Sequence, residues 1–312
     1  MSALKSFHRG ACACVATVMV FVLMSSMSHA QQSYASPEAA ATALAAAVKT
    51  GTKNAILNVL GNAAEDIVSS GDKVADAETR QRFVTAYEAG HSIKAEGNQK
   101  ATLIVGADDF PFPIPLYNTK SGWEFDTKAG RLEILYRRIG RNELDAIQAS
   151  LAYVDAQNEY ADKDHGEGVG VYAQRIVSSP GKKDGLFWRE DGDESPLGPL
   201  VARASAEGYK VEGNGAPYHG YYFRVLKGQG LDAPGGALSY VVKGKMIGGF
   251  ALVAYPAEYG NSGVMTFLVN HAGTVYQKDL GKQTESMARR ITLFDPDQTW
   301  KKVNTASPEA QK

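Results

Sequence analysis

Apolar residues change their spacing several times along this chain, and each change marks a different kind of element. Ala11 to Met24 is an almost unbroken apolar run, with Lys5 and Arg9 before it and Ser28-His29-Ala30 after it. A charged start, a short apolar centre and small residues ahead of Gln31 predict a cleaved export leader over residues 1–30. The run is shorter than the roughly 20 residues that a membrane span needs, so no span is expected once the leader is gone. Arg9 and Ala11 sit three residues before Cys12 and Cys14, where a lipid-attachment motif wants Leu or similar, so a lipid-anchored start is not expected.

The next stretch turns helical. Ser36-Pro37-Glu38 supplies a cap, a first-turn proline and a first-turn acid, and Gly51 supplies a stop. Helices are expected over 39–49, 55–60 and 79–89, the last with Phe83 and Tyr87 on one face. Strands follow at 101–105 and 123–125. Phe110 to Pro115 alternates apolar residues with prolines, so it is extended and lies outside any central strand. These elements predict a small α+β domain over 36–135.

Gly140 reads as a break and Asn142 as the cap of a long helix from Glu143 to Ala161. Leu144, Ile147, Leu151 and Val154 form its expected apolar stripe, with Asp145, Gln148, Asp155, Glu159 and Asp162 opposite. Residues 178–219 form a long connection rich in Gly and Pro, with a helix near 200–207. Period-two strands then predict a meander: 221–226, 240–242, 249–254, 264–269 and 274–278, with turns at Lys243-Gly244-Lys245 and His271-Ala272-Gly273. Strand 264–269 is apolar on both faces and needs two covers. The long helix is expected on one face, and 178–219 or the first domain on the other. A last helix is expected at 286–291. The second domain spans 140–303, and 304–312 is a polar tail expected to be disordered.

Composition narrows the function. Both cysteines, Cys12 and Cys14, fall in the expected leader. The mature chain thus has no disulfide, thiolate nucleophile or cysteine-bound metal. Losing Lys5 and Arg9 from 33 basic residues, against 34 acidic ones, gives a net charge of −3. No basic stripe for nucleic acid or polybasic membrane patch is present. The 32 glycines fit many turns and a sheet-rich chain.

No catalytic motif stands in its required context. Asp295-Pro296-Asp297-Gln298-Thr299 has the D-x-D-x-T spacing of phosphoryl-transfer enzymes, but too little chain follows to supply their lysine and magnesium-binding acids; a turn before Trp300 is expected instead. Asp162 to Glu167 is rich in oxygen ligands but lacks the spacing of a calcium loop. The acidic stretch Glu190 to Glu194 reads as a solvated turn in the same way. His91, His165, His219 and His271 are too dispersed for a zinc site, and no G-x-S-x-G, phosphate loop or dinucleotide fingerprint occurs. No cofactor or metal is expected. The best recognition candidates are Trp188, Tyr218 and His219, which precede a strand or lie in the long connection. Tyr221 and Phe223 are expected in the core, with Tyr222 on the other face.

One combination of segments is distinctive: Phe110-Pro-Phe-Pro-Ile-Pro115, Trp123 to Gly130, Arg137 to Leu144, Ser195 to Leu200, Pro217 to Phe223, Ala233 to Gly236, Gly248 to Val253, Gly263 to Phe267 and Val275 to Gly281. In that order they resemble the bacterial family catalogued as domain of unknown function 2950, over nearly the whole chain beyond the leader. The resemblance implies export and brings no catalytic residues with it. At the level of arrangement only, the first domain is similar to an NTF2-like cone, and the second to the globular head of a type IV pilin. The pilin likeness stops at the leader, where Ser28-His29-Ala30 replaces the prepilin Gly and Glu, so no polymerising stalk is expected.

The expected function is that of a periplasmic or secreted, non-enzymatic envelope protein binding a protein partner or a cell-wall or surface glycan. The alternative is an enzyme or small-ligand binder with a pocket in the N-terminal domain.

Overall fold

The computed structural model describes residues 31–189, 194–210 and 216–304. The expected leader, residues 190–193 of the acidic stretch and residues 305–312 of the tail lie outside the described residues. The architecture is α+β, with antiparallel sheets in both halves.

In the N-terminal half, α1 (Pro37–Thr50), α2 (Lys53–Leu60), α3 (Glu65–Val68) and α4 (Lys73–Ala89) precede β1 (His91–Glu96), β2 (Lys100–Val105), β3 (Phe110–Pro111), β4 (Leu116–Thr119) and β5 (Gly122–Phe125). The Ser36 hydroxyl caps α1 by accepting from Ala39 N, and Gly51 ends it at φ 67°. The alternation in β2 buries Ala101, Leu103 and Val105, and Leu44, Ile56, Val59, Leu60, Ile114, Leu116 and Phe125 fill the space between helices and sheet. The inner face of this sheet is therefore packed with side chains. Strand β1 was not expected: its residues are almost all exposed, so no alternation of apolar residues marks it.

α5 (Thr127–Ala161) corrects the largest sequence expectation. It is 35 residues long, capped by Asp126, and passes through Gly140 without a break. A glycine inside a helix costs about 1 kcal/mol, too little to end a helix held by packing along its length. Asn142 is not its cap. Its buried amide donates to Ser262 O at 2.9 Å. Gly130 has a different role: a Cβ there would stand 2.4 Å from Pro113 O, so glycine lets the helix approach the proline-rich segment.

The C-terminal half has α6 (Gly198–Ala206), β6 (Tyr221–Leu226), β7 (Gly228–Gln229), β8 (Leu238–Ser239), β9 (Val241–Val242), β10 (Lys245–Met246), β11 (Ala251–Pro256), β12 (Met265–Asn270), β13 (Val275–Asp279), α7 (Thr284–Arg290) and β14 (Lys301–Lys302). Its main sheet has the order β14-β13-β12-β11-β6, which leaves β6 at one edge. The expected hairpin turns at 243–244 and 271–273 join β9 to β10 and β12 to β13. β12 is buried from Thr266 to Asn270.

α5 covers one face of this sheet, with the Tyr153 ring 5.7 Å from that of Phe250. The face it presents is not led by Leu144, which is 65% exposed. Val154 is buried as expected, but the rest of the buried face is Asn142, Ala146, Ala149, Ser150, Tyr153, Ala156, Gln157 and Tyr160. Small residues bring the helix backbone close to the sheet, while Ile147 and Leu151 pack at the flank of the core. The other face is covered by α7 and the chain after it, rather than by 178–219 or the first domain. Arg224 on β6 donates to Ala288 O and Ile291 O at 2.8 and 2.7 Å, and the Phe294 ring packs 5.7 Å from Tyr276.

The two halves also meet through an arginine of α5. The Arg138 guanidinium donates to Ile67 O, Asp66 O and Asn261 Oδ1, and Asn261 donates onward to Ser69 O at 3.0 Å. Burial lowers the Arg138 pKa, while Asp76, Asp66 and Glu258 oppose that shift.

Candidate functional site: a cleft along the edge strand

A cleft of about 1000 Å³ runs along the edge of the C-terminal sheet. β6 lines it through Tyr222, Phe223, Arg224 and Val225, and so does the irregular segment from Gln174 to Val177. Ala149 and Tyr153 of α5 and Leu252 of β11 lie beneath, and Leu200, Val201 and Ala204 of α6 close a side. The volume is at the upper end of the range for small-molecule sites.

Internal polar groups hold these walls in place. Gln157, fully buried, donates to Ala173 O at 2.8 Å and accepts from Ala173 N at 2.9 Å. This two-point clamp fixes the chain just before Gln174. The same amide donates to the Tyr153 hydroxyl, which donates to Ala251 O. Burial raises the Tyr153 pKa, so the phenol stays neutral as a donor.

At one end of the cleft, Asp72 ties the halves together. Its Oδ1 caps α4, accepting from Val74 N and Ala75 N at 3.1 Å each. Its Oδ2 accepts from the Tyr209 hydroxyl at 2.8 Å and from Gly220 N at 2.9 Å. Burial, with the Asp72 carboxylate added, raises the Tyr209 pKa. Lys73 and Lys210, both exposed, line the same end.

Tyr218 and Tyr221 exchange both backbone hydrogen bonds around His219-Gly220. His219 has φ 47° and Gly220 has φ 73°, so this is the two-residue hairpin turn in which both central residues are left-handed. Only glycine fits at 220: a Cβ would stand 2.7 Å from Asn142 Nδ2.

The three sequence candidates fall in different surroundings. Tyr218 lines the cleft. Its hydroxyl is buried without a well-aligned hydrogen-bond partner; burial raises its pKa, and the neighbouring Arg203 guanidinium opposes that rise. His219 stands beside the cleft. Its Nδ1 lies 3.2 Å from Asp145 Oδ2 and its Nε2 lies 2.9 Å from Glu207 Oε2. The carboxylates sit at opposite ring nitrogens, so they clamp the ring rather than converge on one point. Trp188 is buried in the C-terminal core and lines a separate small cavity with Glu159, Lys163 and His165. The structure thus brings Tyr218 and His219 together and sets Trp188 apart.

The residues weighed for chemistry act in turns. Asp164 Oδ1 accepts from Gly166 N and Gly168 N, and those two backbone bonds, Gly168 first, hold its pKa low. Asp297 caps its own turn through Thr299 N, with Trp300 N donating to Asp297 O. Among the described residues, no three His, Cys, Asp or Glu side chains are arranged to hold a metal ion.

The family model for proteins of unknown function 2950 matches residues 31–303. The chain belongs to that family. No curated protein and no solved structure matches it. No helix among the described residues is long and apolar enough to cross a membrane.

Sequence reasoning missed most of the cleft. Ile176, Val177, Leu200, Val201 and Val225 carry no motif, and they are brought together by the sheet order and by the Gln157 clamp. Asp72 did carry a signal: an acid directly before a run of helix formers is a cap.

Proposed function

We propose that this is an exported cell-envelope protein, periplasmic or secreted, that binds a partner protein in the cleft beside β6 without chemistry of its own. The observation that carries this reading is a large, mainly apolar cleft whose main polar side chains are committed elsewhere. Asp72 accepts four hydrogen bonds, and Arg224 is spent on two carbonyls. The walls also carry Ile176, Val177, Leu200, Val201, Phe223 and Val225, a surface suited to burying a partner's apolar residues. Export is supported by the leader pattern and by a family match that begins at Gln31.

A glycan is the second reading. Tyr218 lines the cleft, and its hydroxyl has no aligned partner.

The test compares the mature chain with two cleft variants, Ile176→Glu and Val201→Glu, in capture from envelope extracts and in binding to purified cell-wall polymer. A protein retained by the parent chain and lost by both folded variants supports partner binding. Polymer binding with the same sensitivity supports the glycan. Equal retention by all three chains removes the cleft from the function.

A further inference from the structure

The edge of β6 has a hydrogen-bonding pattern that selects one kind of occupant. Tyr221 exchanges both backbone bonds with Tyr218, so its N–H and C=O point away from β11; its partner in β11 is Pro256, which has no N–H. Along an antiparallel strand these groups alternate in direction. Those of Tyr222 and Arg224 face Tyr255 and Val253, and those of Phe223 and Val225 face the cleft. At the far end the same side is occupied again, where Tyr240 N donates to Lys227 O at 3.0 Å. Between Tyr218 and Tyr240, no described residue pairs with the backbone of Phe223 or Val225. Among the described residues, two donors and two acceptors are thus left in a row along the cleft. Exposed strand edges are templates for pairing with another chain, and globular proteins rarely leave one beside an apolar trough without a use.

We infer that this edge is a strand-addition site. An extended polypeptide enters the cleft and pairs with Phe223 and Val225. Alternate side chains enter the apolar floor, and an acidic residue or terminal carboxylate sits near Lys73 and Lys210. The occupant is a peptide because only a polypeptide backbone offers donors and acceptors at the matching repeat. The acidic end follows from the two exposed lysines at the cleft end where β6 begins. This deepens the partner-binding reading and rests on it.

The experiment selects displayed twelve-residue peptides against the mature chain and measures the best binder as a synthetic peptide. Two further copies carry backbone N-methyl groups at even or at odd positions. Strand addition predicts that one register of methylation weakens binding by about tenfold or more, as the loss of paired hydrogen bonds requires, and that the other register has little effect. Bound peptide should also slow amide exchange at Phe223 and Val225. On the protein side, Val225→Pro deletes an outward N–H without removing a β6–β11 hydrogen bond, and should weaken the peptide similarly. The methylated peptides test the same point on unaltered protein if that variant fails to fold. Equal tolerance of both registers, or unchanged exchange at Phe223 and Val225, overturns strand addition. So does a selection that yields no binder. If capture remains sensitive to Ile176→Glu in any of those cases, cleft binding stands and only its mode is wrong.

Discussion

The Tyr209 hydroxyl donates to Asp72 Oδ2 at 2.8 Å across 137 residues of chain. One carboxylate thus caps α4, receives this phenol and receives Gly220 N from the turn that starts β6. Asp72→Ala removes the cap and leaves a buried phenol and an amide unpaired, and should cost about 3 kcal/mol. Tyr209→Phe removes the phenol's donation to Asp72 and its acceptance from His219 N and keeps the ring, so about 1–2 kcal/mol is expected. Denaturant melts of both variants check the order; equal losses would mean that the cap and the Gly220 bond add nothing beyond the phenol.

Gly220 and Gly260 share a left-handed backbone, φ 73° and 75°, but not their surroundings. An alanine at 260 meets open space, whereas one at 220 meets Asn142 Nδ2 and Ser262 Cβ within 2.8 Å. Gly260→Ala should cost about 1–2 kcal/mol from backbone conformation alone. Gly220→Ala should cost about 1–3 kcal/mol more through overpacking. Thermal unfolding of the two single variants separates these contributions.

The buried stripe of α5 gives a third expectation. Leu144→Asp, at an exposed position, should shift stability by no more than about 0.5 kcal/mol. Ala146→Leu, at a position 1% exposed, should destabilise by about 1–3 kcal/mol, because the helix sits too close to the sheet for a larger side chain. Leu151→Asp, at the core's flank, should fall between them, and Asp155→Ala should be silent. A silent Ala146→Leu would show that the close approach of helix to sheet is wrong.

Burial pushes the Tyr160 phenol up to about 12 and the Tyr240 phenol up to about 12. Both donate hydrogen bonds, Tyr160 to Lys183 O and Tyr240 to Gln229 Oε1. A pKa raised on folding means that the neutral form is favoured in the fold. The stability this contributes is complete below the ordinary value of 10 and is lost as pH rises from 10 towards 12. Absorbance titration of the parent chain should show a late-ionising group that disappears in Tyr160→Phe. That variant should also lose less stability than the parent between those pH values.

Much of the α+β architecture was legible in the sequence. The cap and stop of α1, the span of β6, the two-sided burial of β12 and the turns at 243–244 and 271–273 follow from local chemistry. Each depends on near neighbours: a serine before a proline, a glycine after a helix, an apolar residue at every second place. The pairing of Tyr218 with His219 at one place was legible for the same reason, since they are adjacent in a tight turn.

What failed was decided at long range. Gly140 looks like a break, yet packing at both ends carries α5 through it. Leu144 looks like core, yet the sheet meets the side of the helix where Ala146, Ala149 and Gln157 lie, because small residues allow the closer approach. Trp188 looked available and is buried. The cleft was invisible because sheet order alone makes β6 an edge, and no periodicity in one strand encodes whether a neighbour will pair with it. Local sequence set the elements and their turns. The tertiary structure decided which face of α5 is buried and which backbone groups of β6 remain unpaired, because both depend on contacts between residues far apart in the chain.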